Sequence, residues 1–143
     1  MGKQTLFALL FILFAFTSCD KKCSSVDCIV EPFVFKLTNA EGVNLLDDGS
    51  VKLEQLYIAT ANAMAPLVRV ATIKYGDETW LEAAVNSTNS NYTLNIEGYR
   101  SQNLSFAFDV RTGECCTSVT IKEVHLDSKP LPESHFGRTV ILP

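Results

Sequence analysis

Two stretches in the second half of the chain alternate apolar and polar residues with a period of two, and they narrow the choice of fold more than any other feature. Tyr92, Leu94 and Ile96 lie on one side of a strand, with Thr93, Asn95 and Glu97 on the other. In the next, Leu104, Phe106, Phe108 and Val110 face one way and Ser105, Ala107, Asp109 and Arg111 the other. Successive side chains of a strand point to opposite faces, so each strand buries one face and wets the other, the habit of antiparallel sheets. The rest of the chain from Phe33 onward continues in short apolar runs separated by turn residues. Residues 33–38 form a first strand with Phe33, Phe35 and Leu37 in phase, ending at Asn39-Ala40-Glu41-Gly42. Residues 51–59 read as the next strand, its inward face left open between Tyr57 and the Leu56/Ile58 pair. Residues 67–75 and 79–85 pair as a hairpin around Gly76-Asp77, and residues 86–91 are a polar loop.

Residues 117–126 start with Val119 and Ile121 inward and then change phase to Val124 and Leu126, which a bulge near Lys122-Glu123 explains. Pro130 and Pro132 bar residues 127–137 from a central strand. Residues 138–142 make a last strand. The expectation is all-β: an antiparallel β-sandwich of seven or eight strands over residues 33–143, with no helix of three turns in it.

The N-terminus follows different rules. Lys3 in a short polar start precedes eleven apolar residues, Leu6 to Phe16, and then Thr17-Ser18-Cys19. That order is a charged n-region, an apolar h-region and a small-residue cleavage site. Eleven residues span about 16 Å as a helix against roughly 30 Å of bilayer core, too short for a transmembrane span. Simple secretory cleavage after Ser18 would put bulky Phe16 where a small residue is wanted, and Leu6 breaks the myristoylation pattern that Gly2 begins. The cysteine placed directly after Thr17-Ser18 makes the segment resemble a bacterial lipoprotein signal, in which the first mature residue carries lipid. Phe16 stands where such signals usually have Leu. Residues 1–18 are then the signal peptide, Cys19 the lipidation site, and residues 19–32 a polar tether. Release as a soluble secreted domain is the alternative.

Cleavage before Cys19 leaves 125 residues, enough for one domain with a real core. Their eleven basic and sixteen acidic residues balance at −5. Mild acidity with no basic run beyond Lys21-Lys22 argues against a nucleic-acid partner, and two lysines are too few to hold a membrane by charge. The lipid would do that, since more than one acyl chain anchors stably.

With Cys19 lipidated, Cys23, Cys28, Cys115 and Cys116 remain, an even set that reads as two disulfides in an oxidising compartment. Of the three pairings, Cys115–Cys116 closes a strained ring between adjacent residues, so both bonds are expected to join the 23–28 segment to the 115–116 pair. Strand alternation would send the two bonds to opposite faces unless a turn persists through the pair. On that reasoning one bond, with Cys28, is buried and the other, with Cys23, is exposed. A four-cysteine zinc site is disfavoured by the absence of a C-x-x-C pair.

Residues 33–46, from Phe33-Val34-Phe35-Lys36-Leu37 through Gly42 to Asn44-Leu45-Leu46, resemble the opening of many small Bacteroidota lipoproteins, which run a lipid Cys, a brief tether, an F-x-L strand, a Gly turn and an N-L-L stretch. Cys115-Cys116 followed by Val119-Thr120-Ile121-Lys122-Glu123-Val124 resembles their C-terminal end. The resemblance implies an immunoglobulin- or transthyretin-like sandwich and an outer-membrane location, at the periplasmic face or the cell surface. It implies no site.

Residues that could carry chemistry are few. His125 and His135 are the two histidines, no G-x-S-x-G elbow is present, and the cysteines are better used in disulfides. Asp47-Asp48-Gly49-Ser50 lacks the alternating ligands of a calcium loop and reads as a solvated turn. The Asn86, Asn91 and Asn103 sequons bear on glycosylation only in a eukaryotic setting. Trp80 and Tyr99, near strand ends, are the candidate binding aromatics, able to stack on a sugar or a partner protein. No cofactor is implied. The functional expectation is a membrane-anchored, non-enzymatic binding or accessory module with an envelope protein or glycan as partner. A small envelope hydrolase and a structural or inhibitory domain are the alternatives.

Overall fold

The computed structural model describes Cys23, residues 28–60 and residues 67–143; the signal-like segment, Cys19 and residues 61–66 lie outside the described residues. Nine strands occur among them: β1 (Phe33–Thr38), β2 (Leu56–Thr60), β3 (Val70–Tyr75), β4 (Glu78–Ala83), β5 (Asn91–Ile96), β6 (Gln102–Thr112), β7 (Thr117–Leu126), β8 (Lys129–Pro130) and β9 (Arg138–Ile141). They form a four-stranded sheet, β3-β4-β1-β9, and a five-stranded sheet, β2-β5-β6-β7-β8. The two pack as a sandwich.

Contact density divides the chain into a larger unit, Val30–Val110 with Val119–Pro143, and a smaller one that holds Cys23, Cys28, Ile29 and Arg111–Ser118. The core belongs to the larger unit. Phe33, Phe35, Leu37, Leu81, Ala83 and Val140 of the four-stranded sheet bury their side chains, as do Leu56, Ile58, Tyr92, Leu94, Ile96, Leu104 and Phe106 of the five-stranded sheet. Aromatic rings link the two layers. Phe33 stacks on Phe35 at 4.7 Å and meets Phe106 edge-on at 5.1 Å, while Tyr92 meets Phe106 at 5.4 Å. The buried Tyr92 hydroxyl is satisfied by the polar loop, accepting from the Asn86 N–H at 2.8 Å and donating to the Asn86 carbonyl at 2.9 Å.

The alternating strands behave as the sequence requires, and four local departures have physical causes. Residues 51–59 are not one strand: a 3-10 turn over Leu53–Gln55 precedes β2, held by the Gln55 N–H to the Lys52 carbonyl, and this bend lets Val51 bury. β9 runs parallel to β1, Phe35 opposite Arg138 and Leu37 opposite Val140, so the pairing is not wholly antiparallel. Val110 is 50% exposed although it shares the phase of Leu104 and Phe106. Val30 and Glu31, assigned to the tether, already engage β7: the Glu31 N–H donates to the Val119 carbonyl, and the Glu31 carboxylate accepts the Ile121 N–H at 2.7 Å. The phase change in β7 is present, with Lys122 and Glu123 exposed in succession between Ile121 and Val124.

The Asp47 turn is built in rather than simply solvated. Its carboxylate accepts the Thr79 N–H at 3.0 Å and the Thr79 hydroxyl, and pairs with Lys74 at 3.3 Å, tying residues 44–50 to the β3–β4 hairpin. The Thr79 hydroxyl and amide bonds, with Lys74 beside them, hold the Asp47 carboxyl below its ordinary value of 3.8. A carboxylate more acidic when folded stabilises the fold above its unfolded pKa, and that contribution disappears as pH falls through the folded pKa. Urea midpoints measured at pH 6 and pH 3 should therefore differ less in Asp47→Asn than in the parent, the loss appearing at pH 6. Equal pH dependence in the two proteins would contradict the assignment.

Candidate functional site

Each edge of the five-stranded sheet is made differently, and the β2 edge carries an open depression of about 440 Å³. Its floor follows from strand alternation. Leu56 and Ile58 turn inward, so Tyr57 between them turns out, opposite Asn95 of β5. One wall is the 3-10 turn with Glu54 and Gln55. The other is the connection from β5 to β6, where the Tyr99 N–H donates to the Ile96 carbonyl at 3.0 Å. Gly98 at the bend has φ +82°, a conformation that side-chain-bearing residues rarely adopt. The Glu97 N–H donates to the Gln55 carbonyl at 2.9 Å and clips the two walls together.

The polar groups are partly preset. The Ser101 hydroxyl donates to the Asn95 amide oxygen at 2.7 Å, the Asn95 amide donates to the Thr93 carbonyl at 3.2 Å, and the Gln55 side-chain oxygen accepts the Lys52 N–H at 2.9 Å. Tyr99 packs partly against the core, whereas Tyr57 is 47% exposed. Glu54 and Glu97 are the charged groups of the lining, and it contains no Lys, Arg or His.

Of the two aromatics expected at a binding surface, the structure places only Tyr99 at an open site. Trp80 is 4% exposed and is corrected to a packing residue. It lies on the face of β4 opposite Leu81, where Phe136 covers it edge-on at 5.1 Å and the Lys36 ammonium lies 5.0 Å from the ring centroid. Gly137 makes that cover possible. A Cβ there would lie 2.7 Å from the Val34 carbonyl oxygen and 3.0 Å from the indole, so the loop can press onto the sheet only without a side chain. Tyr57 is the functional candidate the sequence reading leaves undecided. The signal was its position between two aliphatics: two buried neighbours outweigh one amphipathic ring that tolerates water.

The four cysteines pair as Cys23–Cys115 and Cys28–Cys116, with Cα separations of 5.2 and 5.9 Å. Both bonds join the segments expected. The expected contrast between a buried and an exposed bond is corrected, because Cys23 and Cys28 are both exposed and Cys115 and Cys116 both half-buried. The Gly113 N–H donates to the Cys116 carbonyl at 2.8 Å, so a turn does persist through the pair and strand alternation does not govern it.

Nothing else among the described residues gathers into a reactive set. His125 is half-buried on β7 and His135 exposed in the connection to β9. No group of three or more His, Cys, Asp or Glu side chains has metal-ligating geometry among the described residues. A second cavity beside the buried Arg138, with Glu31 and Glu133 in its wall, measures about 100 Å³. That is room for ordered water, below the roughly 300 Å³ at which ligand pockets begin. No protein-family model matches the chain, and no curated protein or solved structure shows significant similarity to it.

Proposed function

We propose that this chain is a membrane-anchored envelope lipoprotein whose β-sandwich serves as a non-enzymatic binding or accessory module. The observation that carries the reading is Thr17-Ser18-Cys19 at the end of an eleven-residue apolar run. Lipid on Cys19 would hold the protein at the outer membrane, preferentially on its periplasmic face, and two disulfides suit an oxidising compartment. The open depression at Tyr57 and Tyr99 supports binding more than turnover, since catalysis favours a site that excludes water.

Labelled palmitate fed to cells expressing the full chain is expected to enter the protein, and Cys19→Ser is expected to abolish the label and move the chain from the membrane to the soluble fraction. An unlabelled parent protein, or a Cys19→Ser variant that stays in the membrane, would overturn the anchor. Turnover of a chromogenic ester, phosphate or glycoside that disappears on changing His125 or His135 would overturn the non-enzymatic reading.

A further inference from the structure

We propose that the depression floored by Tyr57 and Asn95 binds a neutral saccharide, an assignment that rests on the binding-module reading above. A sugar ring presents an apolar C–H face and a rim of hydroxyls. A site for it needs an exposed aromatic face with polar groups disposed around that face. Tyr57 supplies the face. It is a large aromatic left 47% exposed on a sheet surface while both its strand neighbours are buried.

Tyr99 supplies a second ring, its body held against the core, so little side-chain freedom is lost on binding. Around them the free capacity is mostly for accepting hydrogen bonds. The Glu54 carboxylate, the second oxygen of Glu97 and the lone pairs of Ser101 remain open, while Glu97 Oε2 accepts the Gln55 amide at 3.5 Å and the Ser101 proton is committed to Asn95. Hydroxyl protons of a sugar match that set.

Charge and shape select the class. Two carboxylates with no cation in the lining repel phosphate, sulfate and uronate groups, which leaves neutral or cationic ligands. A quaternary ammonium is recognised over aromatic faces in a cage. Here the site is open, its floor is half amide, and about 440 Å³ holds an oligosaccharide segment rather than a compact ion. Because the site lies open on a sheet surface, it suits a chain that continues past it in both directions.

The test uses the detergent-solubilised full chain and calorimetric titration with maltohexaose, cellohexaose, xylohexaose and mannohexaose. Polygalacturonate and choline serve as the anionic and cationic probes. At least one neutral hexasaccharide is expected to bind with a dissociation constant of about 10⁻⁴ M, a modest affinity in keeping with an open site. Tyr57→Ala should weaken it about tenfold and Tyr57→Phe less than about threefold, since stacking rather than the hydroxyl carries the contact. Tyr75→Ala, an exposed tyrosine on the other sheet, should leave it unchanged. If Tyr57→Ala does not fold, Ser101→Ala replaces it and should weaken binding at least about threefold.

No binding across the neutral panel, binding indifferent to Tyr57 and Ser101, or equal binding of polygalacturonate would overturn the proposal. Tyr57-dependent binding of choline alone would overturn it in favour of a cationic ligand. None of these outcomes touches palmitate labelling of Cys19. Conversely, hexasaccharide binding by an unlabelled protein overturns the anchor and leaves the site standing.

Discussion

Removing both disulfides should cost this protein nearly three times what removing either one costs, about 7 against about 2.5 kcal/mol. The bonds span 92 and 88 residues, and their two loops interleave and overlap almost completely. On the chain-entropy account, closing the first such loop disfavours the unfolded chain by up to about 4.6 kcal/mol. Once one bond is in place, the second closes only a ring of roughly eight residues, worth about 2.5 kcal/mol. Cys23→Ser with Cys115→Ser, and Cys28→Ser with Cys116→Ser, should therefore each lose about 2.5 kcal/mol at most. The fourfold serine variant should lose about 7 kcal/mol at most, comparable with the whole stability of many domains. Denaturant midpoints of the three variants give the comparison. Two single losses that simply add up to the loss of the fourfold variant would sink the overlapping-loop account.

Phe106→Ala should cost about 3 to 5 kcal/mol, while Val110→Ala on the same strand should cost under about 0.5 kcal/mol. The two positions share one phase of β6, and the sequence pattern ranks them alike. Packing separates them. Phe106 is 5% exposed and touches the rings of Phe33, Tyr92 and Phe108, so truncation leaves a cavity where the two sheets meet. Val110 is half-exposed near the end of the strand and has little to lose. A thermal or chemical melt reads both. A Val110→Ala loss as large as that of Phe106→Ala would mean that the outer end of β6 is buried in solution.

How much of the site was legible follows the same division. Tyr99 reaches the depression because Gly98 bends the chain after β5, whereas the sequence reading places it only near a strand end. The sequence assigns Tyr57 no face, because Tyr57 and the Leu56/Ile58 pair both favour burial, and the 3-10 turn before β2, with bonds from Val51 to Leu45 and from Glu97 to Gln55, lies beyond that local pattern. Trp80 looked like a surface aromatic because nothing in its own strand announces Phe136, more than fifty residues away, closing over it.

By itself the sequence determined the sandwich class, the inward faces of β5 and the first half of β6, the phase change in β7 and the segments that the disulfides join. These depend on alternation, turn chemistry and the strain of a bond between adjacent cysteines, all short-range properties. Only the tertiary structure decided that β9 pairs parallel to β1, that Val110 lies outside the core, that Trp80 is covered and Tyr57 is open, and that both disulfides share one exposure. Each of these depends on which distant segment arrives to cover a face or an edge, and the burial that rewards such an arrival is a property of the assembled surface rather than of any run of residues.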